Sequence, residues 1–182
     1  YIRIYRDWRQ VVRKDTKKLV LMDNNILASP WGIDQLEELS RTDYRIDINQ
    51  GMDARLVIPR LVDLFKRLHW IKYIRFSCDV ESQVPYIQAV YKLFKEKGIS
   101  VNRIFVYFLV QKNLKEASRR LEELKPLKGI SIYAQAEMNP KKGILPTKAQ
   151  KEFANRYVYG RCYKTETWEE YCKRKGMEEF LE

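Results

Sequence analysis

Glycine, histidine and cysteine are all scarce in this chain, and each shortage narrows what it can do. Its 7 glycines among 182 residues are scattered, so the clustered glycines that cradle nucleotide phosphates are missing. The single histidine, His69, stands between Leu68 and Trp70 and reads as a helix-terminus or packing residue rather than a catalytic one. Serine and cysteine nucleophiles are thereby left without an evident base. Cys78, Cys162 and Cys172 are an odd set without metal-ligand spacing, which points to free thiols. No apolar run reaches the roughly 18 to 20 residues of a membrane span, and the opening Tyr-Ile-Arg-Ile-Tyr-Arg has no signal-peptide core. The expectation is a cytoplasmic protein with no membrane partner.

What is abundant is apolar and basic. Hydrophobic residues make up 45% and aromatics 13%, enough for one domain with a substantial core. Thirty-five Lys and Arg against 24 Asp and Glu give a net charge of +11, which invites a nucleic-acid partner. The excess is partly concentrated, with seven basic and two acidic side chains in residues 1 to 20, and is otherwise spread along helical stretches such as 112 to 128. Dispersed charge of that kind reads first as solvated surface, so nucleic acid is not the favoured partner.

Apolar patterning predicts alternating strands and helices. Trp8, Val11 and Val12 suggest an amphipathic helix over residues 5 to 15. Leu19-Val20-Leu21-Met22 is apolar throughout, as in a parallel strand buried on both faces, and it closes on Asp23-Asn24-Asn25. Pro30, Pro59 and Pro85 each open a helix, and Gly98 is placed to end the third of these. Asn113 with Glu116, and Thr147 with Gln150, have capping-box spacing, and Thr165 is the expected cap of a last helix holding Trp168 and Tyr171. Strand starts near residues 18, 45, 72, 102 and 130 recur about every 28 residues, the size of one strand–helix unit. A parallel sheet with right-handed crossovers follows, either open and doubly wound or part of a (β/α) barrel.

Five predicted strand ends turn polar: Asp23-Asn24-Asn25, Asn49-Gln50, Ser77-Cys78-Asp79, Gln111, and Gln135 with Glu137. Carboxyl ends of parallel strands are where ligands bind, so these ends describe a polar cup for a small polar ligand. Gln50, Asp53 and Arg55 follow the same logic just beyond the strand at 44 to 50. For Asp23 and Asn113 turn or helix capping competes with ligand contact, and for Arg55 an ion pair with Asp53 or Asp79 competes equally. Tyr86, Tyr91, Tyr157, Tyr159 and Trp168 fall at helical spacing, which favours packing over base stacking.

Three of these stretches resemble the radical S-adenosylmethionine enzymes: Leu19 to Ala28, Ile46 to Leu56 and Ile74 to Asp79 look like the second, third and fourth strands of that family and their loops. The resemblance covers about residues 5 to 160. It implies a partial (β/α) barrel of about five parallel strands with outer helices. It further implies S-adenosylmethionine and a [4Fe–4S] cluster as cofactors, the cluster held on a CxxxCxxC loop after the first strand and cleaving S-adenosylmethionine reductively. By resemblance, Asp23-Asn24-Asn25 meets the methionyl amino group, Ser77 and Asp79 approach the ribose or carboxylate, and Gln50, Asp53 and Arg55 line the cofactor or substrate side.

This sequence departs from the family in lacking CxxxCxxC, and its cysteines cannot substitute at their spacings. Counting from the family pattern puts the first strand and cluster loop before Tyr1, and the chain begins without Met. The expectation is therefore the C-terminal part of such an enzyme, inactive alone and completed by an N-terminal cluster-bearing segment, with the substrate unread. Residues 1 to 160 would form the core and 161 to 182 a helical extension, with Arg156 to Cys172 either packed or closing over the cup as a lid. A missing first strand would leave the strand at 19 to 23 unpaired on one side. That edge would then self-associate or be covered by residues 1 to 5.

Overall fold

The computed structural model describes residues 8–13, 15–22 and 25–181. Seven strands are present among the described residues: β1 (Lys18–Leu21), β2 (Arg45–Ile48), β3 (Met52–Asp53), β4 (His69–Trp70), β5 (Ile74–Cys78), β6 (Ile104–Val110) and β7 (Ser131–Ala136). All their pairings are parallel, in two sheets ordered β1-β2-β4 and β3-β5-β6-β7. β2 and β3 lie on one chain path parted by Asn49, Gln50 and Gly51, and β4 and β5 on another parted by Ile71, Lys72 and Tyr73. Five strand paths therefore follow one another in chain order across the two sheets. The Ile71 N–H donates to the Ile46 carbonyl at 2.8 Å, and Arg75 of β5 forms an ion pair with Asp47 of β2, so the sheets are joined where the paths shift partners.

Gly51 makes the shift sterically feasible. A Cβ there would stand 3.0 Å from the Ser77 nitrogen and 3.1 Å from the Phe76 carbonyl carbon, too close for any larger residue without moving β5.

The connecting helices are α1 (Trp8–Val11), α2 (Pro30–Leu39), α3 (Pro59–Arg67), α4 (Val84–Glu96), α5 (Leu114–Leu124), α6 (Lys148–Glu152), which continues as a π-helical turn over Phe153–Val158, and α7 (Trp168–Lys175). Proline opens α2 and α3 where a missing N–H costs nothing, and Gly98 ends α4 at φ 71°. The first helix ends at Val11, before the residue 15 that its apolar pattern suggests, and residues 5 to 7 lie outside the described residues. The Asn113 carboxamide oxygen accepts from the Glu116 N–H at 3.0 Å to start α5, and Thr147 and Gln150 cap α6 reciprocally. The cap of α7 is Thr167, not Thr165, because Thr167 has Glu170 three residues on to complete the box, while the Thr165 hydroxyl donates to the Cys162 carbonyl at 3.1 Å.

Alternation along the strands separates two faces. Ile46, Ile48, Ile74, Phe76, Cys78, Ile104, Val106, Phe108 and Val110 are buried beneath the helices, and Phe76 meets Phe94 of α4 with ring centroids 6.1 Å apart. The alternate residues are less covered: Arg75, Ser77, Phe105, Tyr107 and Leu109 are half-buried, and Tyr133 and Gln135 are exposed. The run at 19 to 22 departs from the expectation of burial on both faces. Leu19 and Leu21 pack on the core, whereas Val20 is 57% and Met22 68% exposed, because the face they share is open.

Residues 156 to 172 pack rather than close over the strand ends. Tyr157, Tyr163, Trp168 and Tyr171 are buried, with Phe153 and Trp168 rings 4.9 Å apart and Tyr157 and Trp168 rings 5.3 Å apart. The three cysteines are free thiols, Cys78 and Cys172 being buried.

Candidate functional site

A cavity of about 450 Å³ lies over the carboxyl ends of the strands, lined by Asn49, Gln50, Gly51, Ser77, Asp79, Tyr107, Phe108, Leu109 and Gln135. The turn after β2 supplies Gln50, the end of β5 supplies Ser77 and Asp79, β6 supplies Tyr107, and β7 supplies Gln135. Four consecutive strand paths thus each bring a polar side chain to one space. The Tyr107 hydroxyl donates to the Asn49 carbonyl at 3.0 Å and fixes the turn that carries Gln50.

Asp79 is the charged group of this cavity. Its N–H donates to the Gln83 side-chain oxygen at 2.6 Å, which sets the turn into α4. Its carboxylate has no hydrogen bond or ion pair to any described residue. Burial pushes the Asp79 carboxyl above the usual carboxylate range, against the pull of Arg120.

Beneath the cavity sits Arg120 of α5, fully buried. Its guanidinium donates to the Cys78 carbonyl at 3.0 Å and the Leu109 carbonyl at 2.5 Å, and lies 4.1 Å from the centroid of the Phe108 ring. It joins the ends of β5 and β6 where Ser77, Asp79 and Leu109 enter the cavity. The buried Gln150 carboxamide does the same at the next carbonyl, donating to Val110 at 2.9 Å. The Cys78 thiol points to the helix side, and burial raises its pKa to about 12, so it is not a nucleophile at neutral pH.

The structure brings together Gln50, Ser77, Asp79 and Gln135 among the residues singled out from sequence. Asp53 and Arg55 are instead engaged with each other, Arg55 Nε lying 2.9 Å and Nη2 2.7 Å from the carboxylate oxygens of Asp53. That guanidinium holds the Asp53 carboxyl below its ordinary range, and neither residue lines the cavity. The Asn25 side-chain oxygen accepts from the Asp53 N–H at 3.4 Å, tying the loop after β1 to β3. Asp23 and Asn24 lie outside the described residues.

Two contributors escaped the strand-end reading. Tyr107 belongs to a period-two pattern, Phe105-Tyr107-Leu109 alternating with buried neighbours, that an apolar run conceals. Arg120 is a charge set on the apolar stripe Ala117-Leu121-Leu124, and that misplacement was its signal.

A carboxylate, a hydroxyl, a phenol and carboxamides in one cavity form a set of donors and acceptors for a polar ligand. His69 is exposed in β4 and lies outside it. Among the described residues no group of three or more His, Cys, Asp or Glu side chains is arranged to hold a metal ion, and no helix is long and apolar enough to cross a membrane. No protein-family model, curated protein or solved structure matches the chain.

Proposed function

We propose that the chain is the S-adenosylmethionine-facing part of a radical S-adenosylmethionine enzyme core, its five strand paths being successive strands of a partial (β/α) barrel. The observation that carries this is the meeting of Gln50, Ser77, Asp79 and Gln135 in one cavity, from strand paths that advance in chain order with their helices on one side. An open doubly wound sheet reverses its strand order at the ligand crevice, and these strands do not.

The residues suit the nucleoside cofactor. The Asp79 carboxylate, unpartnered among the described residues, accepts from hydroxyl or ammonium donors, the Ser77 hydroxyl donates or accepts, and the Gln50 and Gln135 carboxamides do both. The donor set does not fit the iron–sulfur cluster. Cys78 is buried on the helix side, and it forms no cluster-like group with Cys162 and Cys172. A cluster held by another segment would supply the reductive chemistry; the residues of this chain would bind and orient the ligand and shield it from water.

Calorimetry with S-adenosylmethionine tests the reading. This chain alone is expected to bind in the millimolar range or not measurably, since its cysteines do not fit the cluster that would help to hold the ligand. Micromolar affinity would overturn the proposal, because the site would then be complete without the cluster. The codons before Tyr1 give an independent check: a CxxxCxxC is expected within about 40 residues, one strand–helix unit and its loop.

A further inference from the structure

The open face of the sheets carries a feature that reaches beyond the cofactor cavity and shares only Tyr107 with it. Tyr73, Phe105, Tyr107 and Tyr133 form a continuous aromatic patch there. Ring centroids are 5.0 Å apart for Tyr73 and Phe105, 5.2 Å for Phe105 and Tyr107, and 6.2 Å for Phe105 and Tyr133, the last pair only 25° from parallel. Tyr133 is 42% exposed and presents its ring to solvent. Rings left open on a sheet, beside a helix-covered face rich in buried aliphatic residues, mark a contact surface rather than core.

Cations frame this patch. The Lys72 ammonium lies 4.7 Å from the centroid of Tyr73, and Lys72 first, then the Ser131 hydroxyl and, more weakly, Arg161 hold the Tyr73 phenol below its ordinary range. Lys18 and Arg45 pair in register at the start of β1 and β2, two residues before Val20 and Asp47, and so fall on the same face. Among the described residues Lys18, Arg45, Lys72 and Arg161 make no ion pair. The carboxylates on this face include Asp47, neutralised by Arg75, Asp53, engaged by Arg55, and Asp79, at the far end over the cavity.

We propose that this aromatic, cation-framed face binds single-stranded nucleic acid, bases stacking on Tyr133, Phe105 and Tyr73 and phosphates meeting Lys72, Arg161, Lys18 and Arg45. Every base has a π-face, so stacking on such a platform tolerates sequence, and the flanking cations supply the backbone contacts. A duplex keeps its bases stacked on one another and offers no such faces to a sheet. An acidic peptide would use the cations but leave the rings idle. The net charge of +11 complements the ligand. The proposal stands apart from the cofactor reading, since Tyr73, Phe105 and Tyr133 lie outside the cavity lining.

Fluorescence anisotropy of the whole chain with labelled twelve-nucleotide oligo-U and oligo-dT, over a salt series, is the test. Saturable binding of at least one is expected, with log K falling by about 0.7 per phosphate neutralised for each unit of log salt. Tyr133→Ala, at an exposed position whose fold is checked by circular dichroism, is expected to weaken it about ten-fold, and Tyr133→Trp to retain it. Lys72→Gln is expected to lower the salt slope by about one phosphate's worth. Tighter oligo-U than oligo-dT binding identifies RNA as the ligand, and the reverse DNA. No binding at about 50 mM salt would overturn the proposal. So would equal binding of an abasic strand or a duplex of the same length, or indifference to Tyr133→Ala, since each makes the charge alone responsible.

Discussion

The Arg120 guanidinium donates to the Cys78 carbonyl at 3.0 Å, one residue before Asp79, so a side chain from α5 holds the strand end that carries the cavity's carboxylate. The same group reaches the Leu109 carbonyl, and β5 and β6 are thereby fixed at matching heights. A buried guanidinium is costly to desolvate, and its partners here are two carbonyls and, at 3.6 Å, the Glu116 carboxylate. It is a positioning residue for the cavity and not a ligand contact.

Arg120→Met keeps the apolar stem and removes the donors. Two buried carbonyls then lose their partners, and a loss of about 2 to 5 kcal/mol in unfolding free energy is expected by urea denaturation. Hydrogen exchange should accelerate first at residues 78 to 80 and 109 to 111, and Glu116→Gln should cost far less. Uniform acceleration across the chain would contradict the local role.

Asp79 gives a pH-dependent prediction. Burial raises its folded-state pKa above the unfolded value, so the folded state prefers the protonated carboxyl. Its contribution is intact below about pH 4, where both states are protonated, and declines as pH rises through the folded pKa. Asp79→Asn mimics the neutral form and is expected to raise the melting temperature at about pH 7 and leave it unchanged at about pH 3. A lower melting temperature at neutral pH would mean that the carboxylate has a stabilising partner in solution. Any ligand that donates to Asp79 should reverse the sign, the wild type gaining more from its addition than the variant.

How far the sequence disclosed this molecule follows from which interactions are local. The strand–helix alternation, the proline-led helices and the Asn113 and Thr147 caps were legible because each rests on residues within four positions of one another. The strand ends at Gln50, Ser77, Asp79 and Gln135 were legible as a group because parallel strands with regular crossovers carry their carboxyl ends to one side. Partner choice was not. Asp53 and Arg55 have the same composition as a ligand clamp, and only the 3₁₀ turn at Ala54–Leu56 folds one back on the other. Arg120 and Cys78 are 42 residues apart, a separation on which local pattern is silent. The aromatic face at Tyr73, Phe105 and Tyr133 was hidden likewise, since its rings come from three strand paths and share no local spacing.

The edge of β1, unpaired among the described residues, supports a prediction about association. The Arg45 N–H donates to the Lys17 carbonyl at 2.7 Å and the Asn49 N–H to the Leu21 carbonyl at 3.1 Å, so odd-numbered residues of β1 face β2. Val20 therefore directs its own N–H and carbonyl away from β2, to a side where no strand pairs among the described residues. Unpaired backbone groups flanked by exposed Val20 and Met22 are a template for another strand. Sedimentation equilibrium is expected to show an average mass that rises with concentration. Val20→Pro removes the outward N–H without touching the ladder to β2 and should return the chain to a monomer, with little loss of stability because proline is tolerated on an edge. A wild-type chain that stays monomeric at all concentrations, with the Val20 amide protected from exchange, would show the edge to be covered from within the same chain. Residues 1 to 5, with alternating Ile2 and Ile4, are the segment whose removal would then expose it.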